Sequence, residues 1–206
     1  NINYAFTHPV TGKKLLLRVN CGSQMHLEHQ IEYEAHALRL MEGSGRTPKV
    51  LYVDGSKKIL EHGVLVMEYL PGHAMDYHTE LMLAAPCLAD IHSVPIPESE
   101  EILIHPQNPL KAILEECEEM FKVYLDSPLG DGEKKTYIRE LLDLGWKREA
   151  EIQLESGYQC CINTELNSTN LLINGEEKSN YLIDWEKPLF GNPAQDLGHF
   201  LAPTTT

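Results

Sequence analysis

A polar run followed by two short apolar stretches constrains the fold of this chain more than any other feature. The run is Asn163–Asn170, and the apolar stretches Leu171–Ile173 and Tyr181–Ile183 flank the loop Asn174–Asn180. That loop contains Asn-Gly and no large apolar side chain, which is typical of the turn of a β-hairpin. We therefore predict two antiparallel strands with a polar segment at their open end.

The register of this hairpin decides which polar groups meet. If Ile173 pairs with Tyr181, then Asn170 lies opposite Asp184 at the open end. An amide oxygen and a carboxylate side by side suit a hard cation such as Mg²⁺, which prefers oxygen ligands and retains several waters. The sequence thus predicts a magnesium site at Asn170 and Asp184.

The N-terminal third contains three strand-like segments. They are Lys14–Asn20, Lys49–Val53 and Val64–Glu68. In the first segment alternate side chains face opposite sides of the strand, which places Arg18 on the same face as Leu16.

One helix interrupts these strands. Ile31, Ala35 and Leu38 recur at i, i+4 and i+7, a spacing that predicts a helix from about Leu27 to Met41. Glu34 lies beside this apolar stripe, so we expect its side chain to point toward the protein.

The hydrophobic period changes after the turn at Pro71-Gly72. Helical patterns dominate from Asp76 to Glu155, and short strands return in the last third. We predict an α+β fold of two lobes. The first, residues 1–72, has an antiparallel sheet with one helix, and the second, residues 73–206, is mainly helical.

The charge balance excludes one class of partner. The chain has 17 Lys and Arg against 31 Asp and Glu, a formal net charge of −14, and without a basic cluster a nucleic acid backbone is repelled. No apolar run approaches the roughly 18 residues of a membrane helix, and the N-terminus lacks the order of a signal peptide. We expect a cytoplasmic protein with no membrane or nucleic acid partner.

These segments, taken in order, resemble the aminoglycoside phosphotransferase and choline kinase-like family, whose members share the protein kinase fold. The run and hairpin resemble its catalytic and metal-binding segments, and Lys14–Asn20 resembles the strand with the cation that contacts phosphate. The remaining pieces are the hinge that grips the adenine, the first large-lobe helix and the segment beyond the metal loop, at Val66–Gly72, Leu88–His92 and Gly191–Gly198. Several pieces in the right order are more specific than any one.

The resemblance implies phosphoryl transfer from ATP or GTP to a hydroxyl of a small molecule, achieved mostly by positioning and charge neutralisation. Asn170 and Asp184 would hold Mg²⁺, Arg18 oriented by Glu34 would neutralise the phosphates, and Glu165 would receive the proton of the hydroxyl. The residues that would bind the nucleotide base are Met67, Glu68, Tyr69 and Leu70.

The chain departs from the family pattern at the catalytic loop. The family usually has His-Gly-Asp where this chain has Asn163-Thr164-Glu165, so an amide replaces the supporting His and the base is one methylene longer. Misplacement of a base on that scale can lower the rate about a hundredfold. An impaired pseudokinase or nucleotide-binding scaffold is therefore the alternative. Arg18 replaces the lysine of protein kinases, and a guanidinium also suits phosphate.

The acceptor stays open at the level of sequence. Aminoglycoside-, choline- and sugar-like alcohols all fit the resemblance, and acidic runs such as Glu115–Glu119 are either a solvated helix face or an attraction for a cationic acceptor. The resemblance also implies a fold truncated at both ends, because the glycine-rich loop ahead of the first strand pair and the final large-lobe helices are not recognisable.

Overall fold

The chain begins in a four-stranded antiparallel sheet. The computed structural model describes residues 1–22, 25–152, 158–176 and 179–202. The strands are β1 (Ile2–Thr7), β2 (Lys14–Asn20), β3 (Val50–Asp54) and β4 (Gly63–Glu68). Their order among the described residues is β1-β2-β4-β3, so the apolar strand β4 lies in the interior and β1 is an exposed edge. The three predicted strands are confirmed, and β1 is an addition to them.

Helix α1 (Gln30–Met41) packs its apolar stripe into the core. Ile31, Ala35 and Leu38 are at most 3% exposed, as the spacing predicts. The helix begins three residues later than expected from Leu27, and the turn after it ends at Gly45, which has a φ of 67° that favours glycine.

Two smaller sheets and two helices complete the larger of two compact units, which comprises Asn1–His105 and Tyr158–Thr206. The elements are β5 (His73–Ala74), α2 (Leu81–His92), β6 (Cys160–Ile162), β7 (Leu171–Asn174), β8 (Ser179–Leu182), β9 (Leu189–Gly191) and α5 (Ala194–Leu201). One sheet has the strand order β5-β7-β8, and β6 pairs with β9 in the other.

The hairpin forms as predicted, but the predicted register is wrong by one residue. Tyr181 pairs with Leu172, one position before the expected partner. The N–H of Ile183 donates to the carbonyl of Asn170 at 2.9 Å, so Asp184 lies one residue beyond the position opposite Asn170.

A buried asparagine explains this register. Asn180 lies on the core face of β8 with Leu182. Its amide nitrogen donates to the carbonyl of Leu83, and its Oδ1 accepts from Nη1 of Arg46 at 2.6 Å. The polar group is thereby satisfied inside the protein, and an apolar pattern alone assigns it to solvent.

The second unit, Pro106–Gly157, contains a pair of helices, α3 (Pro109–Asp126) and α4 (Gly132–Glu151). Asn108 and Asp131 cap their N-termini by accepting from backbone N–H groups, as Asn and Asp commonly do. Among the described residues, none of the helices combines the length and apolar character needed to cross a membrane. The lobe boundary at Gly72 stays a prediction.

Candidate functional site

A cavity of about 260 Å³ lies within the larger unit and contains most of the residues singled out from the sequence. Its apolar walls include residues of β2, α1, β4 and β7, and its charged and amide groups lie on β1, β2, α1, β4 and the segment after β8. The predicted residues among its lining are Arg18, Glu34, Met67, Glu68, Tyr69, Leu70 and Asp184. An apolar cleft with a few convergent polar groups is the usual form of a small-molecule site.

Arg18 is the centre of the polar end of this cavity. Its side chain is 7% exposed, and its Nη1 lies 2.5 Å from Oε1 of Glu34, 3.0 Å from Oδ1 of Asp184 and 3.3 Å from Oε1 of Glu186. Although burial opposes the charge of the guanidinium, the three carboxylates outweigh it and raise the pKa of Arg18. One cation is therefore shared among three carboxyl groups.

Glu34 is the most deeply buried of the three carboxyl groups, at 1% exposure. Burial, together with the nearby carboxylates Glu186 and Asp184, raises its pKa to about 7, because the attraction of Arg18 only partly offsets these effects. The predicted pairing of Arg18 with a helix glutamate is thus present.

Asn3 belongs to this end of the cavity and was not foreseen from the sequence. It pairs with Arg18 across β1 and β2, and its Oδ1 accepts from Nε of Arg18 at 3.2 Å. The available signal is the alternation of apolar Ile2, polar Asn3 and apolar Tyr4, which is typical of a strand.

The two predicted metal ligands are adjacent although they are not cross-strand partners. Asn170 accepts a backbone hydrogen bond from the residue before Asp184, and its Nδ2 donates to the carbonyl of Glu165 at 3.0 Å. Asp184 has a φ of 63°, and non-glycine residues in that region cluster at functional sites. The donor set of carboxylate and amide oxygens fits Mg²⁺. Among the described residues, no group of three or more His, Cys, Asp or Glu side chains is arranged to hold a metal ion by itself.

The predicted catalytic loop lies between β6 and β7. Glu165 is half-buried, and desolvation raises its pKa, with Asp184 and Glu186 acting in the same direction and Lys187 against it. Asn163 is completely buried. Its Nδ2 donates to the carbonyl of Asp184 at 2.8 Å, and its Oδ1 accepts from the N–H of Glu165 at 3.2 Å. Asn163 therefore links the loop after β6 to the segment after β8.

Asp196 anchors this loop from helix α5. Its carboxylate accepts from the N–H groups of Asn163 and Thr164 at 3.0 and 2.8 Å, and it lies 2.9 Å from Nε2 of His92. Asp196 is fully buried and His92 is 8% exposed, so this pair lies in the interior of the protein. Thr164 has a φ of 65°, and its hydroxyl donates to the carbonyl of Lys187 at 2.6 Å.

The same cavity that contains the predicted hinge residues thus contains Arg18, Glu34 and Asp184. Asn163, Glu165 and Asn170 lie on the neighbouring loop, connected to that group by the hydrogen bonds above. The site thus combines apolar walls with a cluster of charged groups around Arg18.

Comparison with family models matches residues 1–206 to the phosphotransferase enzyme family, APH. A comparison with curated protein sequences finds no match. Among solved structures, Plasmodium vivax ethanolamine kinase is 16% identical with a TM-score of 0.69, covering 96% of this chain and 56% of that one. Spectinomycin phosphotransferase in its AMP-bound complex is 18% identical with a TM-score of 0.62, covering 94% of this chain and 65% of that one.

A third solved structure extends the same likeness. Amicoumacin kinase, in complex with AMP-PNP, Ca²⁺ and Ami, is 12% identical with a TM-score of 0.64, covering 97% of this chain and 60% of that one. The likeness at these identities concerns the fold, and it confirms the α+β, protein kinase-like class. The chain spans less than two thirds of the length of each of these three structures.

Proposed function

The chain belongs to the phosphotransferase enzyme family, and from this premise we propose that it transfers the γ-phosphoryl group of ATP or GTP to a hydroxyl group of a small molecule. The observation that carries the proposal is the convergence of Arg18, Glu34 and Asp184 at the polar end of one apolar cavity. A nucleotide has the matching division into an apolar base and an anionic chain of phosphates.

In this proposal each end of the cavity has its own task. Met67, Glu68, Tyr69 and Leu70 enclose the base, while Arg18 neutralises the phosphates and Glu34 keeps the guanidinium in place. Asn170 and Asp184 would hold Mg²⁺, which supplies further neutralisation of phosphate charge. Catalysis then rests on position and electrostatics rather than on a covalent intermediate.

Glu165 is the general base of the proposal. Its pKa is raised toward neutral pH. A general base is most effective when its pKa lies near the working pH. The backbone N–H of Glu165 donates a hydrogen bond to Oδ1 of Asn163, which holds the loop that carries Glu165.

The proposed acceptor is an aminoglycoside-, choline- or sugar-like alcohol. Structural relatives phosphorylate or bind spectinomycin, ethanolamine and amicoumacin by name. A cationic acceptor suits the excess of acidic over basic residues in the chain, 31 against 17.

A thermal-shift titration with ATP and GTP, with and without Mg²⁺, tests the site without knowledge of the acceptor. A ligand at a hundred times its dissociation constant stabilises a protein by about 2.7 kcal/mol. We expect a Mg²⁺-dependent rise in Tm that Asp184→Ala abolishes and that the exposed Glu61→Ala control retains. If neither nucleotide shifts the wild-type Tm, the proposal is wrong.

A scaffold that binds nucleotide without turnover is the second candidate. It is favoured by the long side chain of Glu165 and by the left-handed backbone of Thr164 beside it. Mg²⁺-dependent binding together with no phosphorylation of any hydroxyl compound in an acceptor screen would support the scaffold over the enzyme.

A further inference from the structure

Two buried side chains of helix α1 attach it to the loop that follows Asp184. Gln30 and Tyr33 are 2% and 6% exposed. Nε2 of Gln30 donates to the carbonyl oxygen of Glu186 at 2.6 Å, and the hydroxyl of Tyr33 donates to the carbonyl oxygen of Pro188 at 2.5 Å. Both acceptors belong to the main chain, so the attachment fixes the course of the loop itself.

The hydroxyl of Tyr33 also joins a third segment to this contact. It accepts from the N–H of Ile104 at 3.1 Å, so one oxygen bridges α1, the loop and residue 104. Burial raises the pKa of Tyr33 to about 12, and the phenol therefore keeps the proton that it donates. Removal of the hydroxyl leaves the N–H of Ile104 and the carbonyl of Pro188 without this partner.

The positions of these residues on α1 connect them to the cavity. Gln30, Tyr33 and Glu34 are spaced at i, i+3 and i+4, which places them on one side of the helix. Glu34 reaches Arg18, and Arg18 reaches Asp184. The loop is thus attached to α1 in two ways. One is the chain of charged groups from Glu34 through Arg18 to Asp184, and the other is the pair of neutral hydrogen bonds from Gln30 and Tyr33, which lie outside the cavity lining.

We propose that Gln30 and Tyr33 are positioning residues that set the place of Asp184 relative to Arg18 and Glu34, and so determine the Mg²⁺-dependent part of nucleotide binding. The inference rests on the proposed function. Neither residue lines the cavity, so both act through the loop and leave the contacts to the base unchanged.

The test measures the dissociation constant of ATP with and without Mg²⁺ for the wild type, Tyr33→Phe and Gln30→Met. Both variants keep the volume of the side chain and remove its donor. We expect the constant with Mg²⁺ to rise about tenfold and the constant without Mg²⁺ to change less than twofold. The matched control is Tyr77→Phe, which loses a hydroxyl bond of 3.0 Å to the carbonyl of Phe200 and should retain the wild-type dependence on Mg²⁺.

A double-mutant cycle separates positioning from simple loss of stability. In the Asp184→Ala background, Tyr33→Phe should have no further effect on ATP binding, because residues that act through one group are not additive. Additive losses, or equal losses with and without Mg²⁺, overturn the inference, and Gln30→Met decides the matter if Tyr33→Phe does not fold.

The outcome also separates this inference from the proposed function. A wild type that binds ATP in a Mg²⁺-dependent way, with unchanged Tyr33→Phe and Gln30→Met, overturns only the role of these two residues. A wild type without Mg²⁺-dependent binding overturns both.

Discussion

At the scale of single residues, the side chain of Glu165 sets the activity that we expect. Burial is the main cause that raises the pKa of Glu165 from its usual value, and the proposed base acts as the carboxylate. Activity should therefore fall as the pH drops through this raised pKa, at a higher pH than for an exposed glutamate. We expect Glu165→Gln to lower kcat by about 10²- to 10⁴-fold with little change in the KM for nucleotide, whereas Glu165→Asp should raise kcat. A Glu165→Gln variant as active as the wild type would show that another group is the base.

Thr164 is the second residue with a measurable local effect. A β-branched residue at a φ of 65° is an outlier, and its hydroxyl bond to Lys187 is the compensation. Thr164→Ala and Thr164→Gly both lose that bond and differ in the cost of the left-handed backbone. Chemical denaturation should therefore find Thr164→Gly more stable than Thr164→Ala by about 0.5–1 kcal/mol, after the greater freedom of glycine in the unfolded chain is subtracted. The reverse order would mean that the loop relaxes when the hydroxyl is lost.

At the scale of elements, the contact between β2 and α1 makes stability depend on pH. The pKa of Glu34 is raised to about 7, so the folded state holds its proton more tightly than the unfolded chain. This contribution to stability is present below the usual carboxyl pKa and is lost as the pH rises to about 7, at about 1.4 kcal/mol per unit of pKa change. Between pH 5 and pH 8 the wild type should lose more stability than Glu34→Gln. Equal losses would contradict this prediction, and the exposed Glu28→Gln variant should follow the wild type.

The two strands of the β7–β8 hairpin could be predicted from the sequence, but their register could not. Asn-Gly in the loop was enough to predict the two strands, because turn chemistry is local. The register depended on Asn180, whose burial requires Leu83 and Arg46 from distant parts of the chain. Strand β1 and the contacts of Gln30 and Tyr33 are not predicted from the sequence for the same reason. Their partners Arg18, Glu186 and Pro188 are set by the tertiary fold.

At the scale of the whole molecule, the two compact units differ in how much apolar surface they bury. The buried residues of α3 and α4 are Phe121 and Leu142, whereas α1 alone buries Ile31, Tyr33, Ala35, Ala37, Leu38 and Met41 in the core. Regions with few buried contacts open at lower free energy. We expect hydrogen exchange to show less protection in α3 and α4 than in α1. Equal protection would mean that the smaller unit opens only when the entire protein unfolds.

The order of segments along the chain was the most informative part of the sequence at this scale. This order predicted the kinase-like class. Each segment carries a local signature, as at Arg18 and Asp184, and the segments follow one another along the chain as they do in that fold. The division into units was not predicted. The lobe boundary at Gly72 follows a change of hydrophobic period, whereas Pro106–Gly157 separates as a unit through its contacts.

The two outer strands of the four-stranded sheet have a consequence for behaviour in concentrated solution. Within the described part of the chain, β1 and β3 each have a single hydrogen-bonded neighbour, and Tyr4 and Tyr52 are 54% and 53% exposed on them. Open strand edges are templates for association with other copies. The net charge of −14 keeps copies apart at neutral pH, and this repulsion vanishes near the isoelectric point of about 5.1. The colloidal stability of the protein therefore depends on its acidity, and mildly acidic storage favours self-association.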